Sequence, residues 1–131
     1  MNKIIKYLFV ALFLFGSNYL FAQQATLLNS EEVYKLIKKD TSIVIIDARD
    51  SNMFKNGHIE RAINIDAFQE DIKEKINPLN KADKYLLYCK ENFRSGHLKD
   101  LMLQLGFTNI IQMTDGYSGW ISKGFPVIRE E

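Results

Sequence analysis

The sequence predicts an α/β sandwich of three layers: a mainly parallel central sheet with helices on both faces. Three observations carry that prediction. Residues 42–47, 84–89 and 109–113 are short continuous apolar runs, as in strands buried on both sides. The segments between them repeat their apolar residues at helical spacing. Strand and helix patterns alternate along the chain, the order that builds parallel strands joined by crossover helices. With 131 residues, 47% hydrophobic and 25% charged, the chain has room for one domain with its own core.

Residues 1–22 stand apart. Lys3 and Lys6 precede an unbroken apolar run over 7–15, no acidic residue intervenes, and Ala22 comes just before a glutamine pair. That is the pattern of a secretory signal peptide cleaved after Ala22, leaving a domain over 23–131 and an exported, periplasmic or otherwise extracytoplasmic protein. Gly16, Ser17 and Asn18 break the run before it reaches the roughly 20 apolar residues that span a bilayer. Contact with a membrane is therefore expected only through this segment, if it is retained. Without Lys3 and Lys6, 15 Lys and Arg face 16 Asp and Glu, a net charge of −1. No basic stripe remains, which speaks against a nucleic-acid partner.

The elements follow in order. Asn29 or Ser30 caps a helix running to about Lys39, with Glu32 placed for a capping box and Val33, Leu36 and Ile37 on one face. The run 42–47 is the first strand. Residues 50–59 read as a helical turn broken at Asn56-Gly57, and 62–65 as a second brief strand. Asp66 is expected to cap a helix to about Ile76, ahead of Pro78. The run 84–89 is the third strand. Leu98, Leu101, Met102 and Leu105 then form one helical face from Arg94 or Ser95 onward, closed by Gly106. The run 109–113 is the fourth strand, and 116–124 a short last helix.

Cys89 is the only cysteine. In an exported protein a single thiol forms no internal bridge, so it is either buried and inert or kept for its reactivity. It stands last in its strand, where open α/β sheets bind ligands, and the loop after it opens a helix. Backbone N–H groups of such a loop, with the helix N-terminus, hold anions and stabilise a thiolate. Lys90 and Arg94 add positive charge. Position thus favours a reactive thiolate handling an anionic substrate. No cluster of metal-ligating residues is present in the pattern, and neither metal nor cofactor is expected.

Two stretches resemble the rhodanese (sulfurtransferase) family over nearly all of 23–131. "IIDARDSNMFKNGHIERAINI", 45–65, is similar to its first signature. "YLLYCKENFRSGHLKDLMLQLGFTNIIQMTDGYSGW", 85–120, is similar to its active-loop region and closing signature. The resemblance implies that Cys89 attacks the sulfane sulfur of a donor such as thiosulfate or a persulfide and is left as a persulfide. A thiol acceptor, small or on a protein, then collects the sulfur. Lys90, Glu91, Asn92, Phe93, Arg94 and Ser95 would bind the substrate. Between Cys89 and Arg94 lie four residues, the ring size of the family's sulfurtransferases; the cysteine phosphatases and arsenate reductases of this fold use five. A further alternative is a non-catalytic binding module that keeps the fold.

Some positions depart from the family pattern. Asn92 stands where glycine is common, and asparagine tolerates the left-handed backbone such a loop can require. Lys90 replaces a common Arg, Glu91 puts a negative charge beside the anion site, Arg61 follows the Gly-His-Ile turn in place of Gly, and Asp115 replaces a glycine of the closing signature. His58 is expected to hold its turn by a hydrogen bond, His97 to be a solvated helix residue, and Asp47 with Arg49 to brace the neighbouring loop. Tyr117, Trp120 and Phe125 are expected to pack rather than bind a ligand.

Overall fold

The computed structural model describes Lys3 and residues 23–131. The expected signal segment, Lys3 apart, lies outside the described residues. Five parallel strands form one sheet in the order β1-β5-β4-β2-β3. They are β1 (Thr26–Leu28), β2 (Val44–Asp47), β3 (Ile63–Asn64), β4 (Tyr85–Tyr88) and β5 (Ile110–Met113). Five helices accompany them over residues 23–131: α1 (Ser30–Lys39), α2 (Ser51–Asn56), α3 (Ile72–Ile76), α4 (Phe93–Gln104) and α5 (Gly116–Ser122).

Strand alternation divides the core in two. Ile46, Tyr85, Leu87 and Ile110 point to the side covered by α3 and α4, where they meet Ile72, Ile76, Leu98 and Met102. Ile45, Leu86, Ile111 and Met113 point to the opposite side and meet Val33 and Ile37 of α1 and Trp120 of α5. Because both faces are covered, β2, β4 and β5 read as unbroken apolar runs rather than as alternating ones. The three-layer sandwich expected from the sequence is the observed architecture.

The ends of the elements follow local chemistry. Asn29, not Ser30, caps α1: its side chain accepts from Glu32 N at 3.0 Å, and Glu32 Oε2 accepts from Asn29 N at 2.8 Å. Ser30 is turned instead to Asp115, donating to that carboxylate through both N and Oγ at 2.7 Å. Lys123 Nζ reaches the same pair, at 2.9 Å from Ser30 Oγ and 3.2 Å from Asp115 Oδ2. This clasp joins the start of α1 to both ends of α5. Burial works against the Asp115 charge, yet the Ser30 and Lys123 hydrogen bonds prevail and lower its pKa.

Two expectations needed correction. The helix over 66–76 is shorter: Asp66 Oδ1 accepts from Phe68 N at 3.0 Å, which closes a turn, and the helix proper is α3. A side chain satisfied two residues on is an Asx turn, which competes with helix initiation. The strand β1 was not expected at all. It pairs with β5 at the sheet edge, Leu27 opposite Gln112, and carries exposed residues with no apolar run to announce it.

Arg61 holds φ at +68°, the left-handed region that favours the glycine expected there. Its guanidinium donates to Thr41 O at 2.9 Å and Ile37 O at 3.1 Å, satisfying carbonyls at the end of α1. Those bonds offset the backbone strain.

Candidate active site

Cys89 follows β4 at the centre of the sheet, beyond its carboxyl end, and is 2% exposed. It faces the α4 side, whereas the preceding Tyr88 faces α1 and α5. Burial raises the pKa of the Tyr88 phenol far above its usual value. Its oxygen accepts from Ile59 N at 3.1 Å, which fixes the strand end.

The loop after Cys89 owes its shape to α5. Tyr117 N donates to Cys89 O at 2.8 Å and Ser118 N donates to Lys90 O at 2.9 Å. Gly116, at φ +60°, lets these carbonyls come close: a Cβ there would stand 2.6 Å from Lys90 O and 2.7 Å from Cys89 O, and closer still to Glu91 O. Within a trans peptide unit the N–H points opposite to the C=O. With the carbonyls of Cys89 and Lys90 held on α5, the N–H groups of Lys90 and Glu91 turn away from it. None of the backbone N–H groups of residues 90–95 donates to an acceptor among the described residues. Six unpaired donors leading into a twelve-residue helix make an anion cradle.

The loop residues divide by role. Ser95 is fully buried, with Oγ 3.4 Å from Cys89 Sγ. Asn92 O accepts from Gly96 N at 2.9 Å, Ser95 Oγ at 3.2 Å and Gln112 Nε2 at 3.0 Å. Its φ is −146°, so the left-handed tolerance of asparagine is not used. Lys90 and Glu91 are exposed, and Phe93 is 77% exposed. Arg94 does not turn fully to the loop: Nη1 lies 3.4 Å from Asp50 Oδ2, with the guanidinium 5.6 Å from the Phe68 ring. Asp50 also caps α2 through Met53 N at 3.0 Å, and that bond, with the Arg94 interaction, holds its carboxyl below the ordinary range despite some desolvation.

Met53, Cys89, Lys90, Glu91, Phe93 and Arg94 line a cavity of about 310 Å³ above the thiol. Lys90 and Arg94 are matched there by Glu91 and Asp50, so the mouth is close to neutral. Met53 and Phe93 give it an exposed apolar rim, which Phe68 extends through its contact with Phe93, ring centroids 5.9 Å apart. The sequence had not pointed to Asp50, Met53, Phe68, Gln112 or Gly116 in this role.

The remaining residues take structural places. Asp47 and Arg49 form a buried pair, with Arg49 Nη2 2.7 Å from Asp47 Oδ2 and 2.6 Å from Gly57 O. Burial opposes the Arg49 charge, but the Asp47 bond and charge outweigh it and raise its pKa. The guanidinium also covers the Tyr117 ring at 4.0 Å. It thus ties the turn at Gly57 to the first turn of α5. His58 stacks on Phe54 with centroids 3.8 Å apart, its Nδ1 2.8 Å from Phe54 O, and holds that turn. His97 is exposed on α4, 5.4 Å from the Phe68 ring. Trp120 is buried and donates from Nε1 to Pro126 O at 2.9 Å. Among the described residues no cluster of three or more His, Cys, Asp or Glu side chains could hold a metal ion. None of their helices is long and apolar enough to cross a membrane.

Residues 29–123 match the family model described as "Rhodanese-like domain". The chain is 30% identical over 100 residues to Rhodanese-like domain-containing protein 17 of Arabidopsis thaliana, covering 67% of this chain and 64% of that one. It is 29% identical over 115 residues to a protein of Schizosaccharomyces pombe named as a putative mitochondrial thiosulfate sulfurtransferase, covering 77% and 81% of the two chains. Among solved structures, a rhodanese-related protein from Thermoplasma volcanium superposes with TM-score 0.69 at 28% identity. That match covers 80% of this chain and 98% of the other.

Proposed function

The chain belongs to the rhodanese-like domain family, and we propose that it is a sulfurtransferase working through a Cys89 persulfide. The observation that carries this reading is the buried thiol at the head of a loop whose six backbone N–H groups, residues 90–95, have no acceptor among the described residues. The likeness to a relative named for thiosulfate sulfurtransfer supports the donor class. In the first half-reaction the Cys89 thiolate supplies an electron pair to the outer sulfur of the donor. The Sγ–S bond forms as the donor's S–S bond breaks, and its electron pair leaves with sulfite when the donor is thiosulfate. The amides of residues 90–95 face the negative charge of the persulfide. In the second half-reaction an acceptor thiolate attacks the outer sulfur of the persulfide and Cys89 returns as thiolate. Met53, Phe68 and Phe93 offer the acceptor an apolar rim, suited to a thiol with an organic or protein body. Export through residues 1–22 would place this chemistry outside the cytoplasm.

Intact-mass measurement tests the reading directly. After incubation with thiosulfate or an organic persulfide, the protein is expected to gain roughly 32 Da, one sulfur, on a reactive thiolate. Cys89→Ala should gain nothing. Failure of both donors would leave the alternative of a rhodanese-like binding module without sulfur chemistry.

The near-neutral mouth gives a second expected result. Glu91→Gln removes a negative charge from the cavity lining, and Asp50→Asn removes the one paired with Arg94, freeing that guanidinium. One charge at about 4 Å in water-like surroundings is worth about 1 kcal/mol, so apparent thiosulfate affinity should rise about fivefold in each variant. The gain should shrink at high salt. Steady-state kinetics at two ionic strengths provide the check; unchanged affinity in both variants would remove charge at the mouth as the factor that limits anionic donors.

A further inference from the structure

Gln112 is the third residue of β5 and is 6% exposed. Its side chain shares the α4 face of the sheet with Ile110 and Cys89, where an apolar residue would fill the core. Nε2 instead donates to Asn92 O at 3.0 Å and to Ser95 Oγ at 3.1 Å. A primary amide has two N–H groups, one for each acceptor. Gly96 leaves room for this: a Cβ there would stand 3.4 Å from Nε2.

We propose that Gln112 is a positioning residue that lets the Ser95 hydroxyl turn and donate a hydrogen bond to the Cys89 thiolate. Around the neutral thiol, Cys89 S–H points to Ser95 Oγ at 3.4 Å and Ser95 O–H to Asn92 O at 3.2 Å. Asn92 O does not depend on that hydroxyl, because Gly96 N and Gln112 Nε2 already donate to it. When the thiol proton leaves through the cavity to water, Ser95 O–H rotates onto the sulfur and no acceptor is stranded. Gln112 keeps Ser95 Oγ in place throughout. Without that amide, Asn92 O keeps only Gly96 N when the hydroxyl turns away and Ser95 Oγ loses its anchor, so the hydroxyl is drawn back to the carbonyl and the thiolate's side-chain donor is weakened.

The inference rests on Cys89 acting as a thiolate, and its test needs no sulfur donor. The rate of alkylation by iodoacetamide as a function of pH reads thiolate directly. Gln112→Met, similar in length and without donors, is expected to slow alkylation about tenfold near neutrality, the scale of one hydrogen bond to a charged group, and to move the profile to higher pH. In a Ser95→Ala background the same substitution should have no further effect, since its route to the sulfur is gone. Gln112→Leu, likewise without donors and without charge, carries the comparison if the methionine variant does not fold. Wild-type alkylation in the folded variant, or equal slowing with and without Ser95, overturns the proposal. A protein that alkylates rapidly yet takes up no sulfur would end the sulfurtransferase reading and leave this one standing.

Discussion

Gly116→Ala is expected to reduce sulfur transfer about a hundredfold, although residue 116 touches neither thiol nor donor. The added methyl would stand 2.6 Å from Lys90 O and 2.7 Å from Cys89 O, and nearer still to Glu91 O. All three contacts are backbone, so no side chain can swing aside. Alanine at φ +60° also costs about 1–2 kcal/mol in the left-handed region. The cheapest relief is for the loop to leave α5, breaking the bonds from Tyr117 N and Ser118 N that orient its peptides. A displacement of about 1 Å at a reacting group costs on the order of a hundredfold in rate. Persulfide formation by stopped-flow, beside a melting curve showing that the domain still folds, is the measurement. Transfer at the wild-type rate would show that α5 does not shape the loop.

Arg49→Met should give the largest loss of stability, about 3–5 kcal/mol, the usual consequence of removing one partner from a buried ion pair. Asp47 is fully buried and would keep only the Arg49 backbone N–H, at 3.0 Å, among the bonds it now shares with that residue. Gly57 O would lose its guanidinium donor. Adding Asp47→Asn removes the stranded charge, so the double variant should recover part of the loss while Gly57 O stays unpaired. Denaturant unfolding of the two variants measures this. A single-variant loss below about 1 kcal/mol would mean that water reaches the carboxylate and the pair contributes as little as a surface one.

The sequence disclosed the parts whose neighbours lie close along the chain or whose burial is complete. β2, β4 and β5 were legible because both faces of each are covered, and α4 because Leu98, Leu101 and Met102 fall on one side. The capping box at Asn29 was legible because its partner is three residues away. β1 was not: a short edge strand needs only backbone pairing with β5, which leaves no periodic mark. The shortened α3 shows a local contest, in which the carboxylate of Asp66 closed a turn where the pattern suggested a cap. At the candidate site, the place of Cys89 after β4 and of the loop ahead of α4 was legible from the strand and helix patterns. Gln112 was hidden inside an apolar run. Only the register of β5 beside β4 brings its amide under the loop, and register is a property of the folded sheet.

The six amides of residues 90–95 have one more consequence, for the energy of the whole domain. Folding sets these N–H groups side by side in one loop and gives them no acceptor among the described residues. An anion held there binds the folded state and not the unfolded one, so occupancy of the loop and stability of the fold are linked by mass action. A persulfide formed on Cys89 would be such an anion, tethered in place and therefore always at saturation. The resting and sulfur-charged forms would then share one architecture but differ in rigidity. A thiol that took this sulfur would empty the loop and relax the domain in the same step.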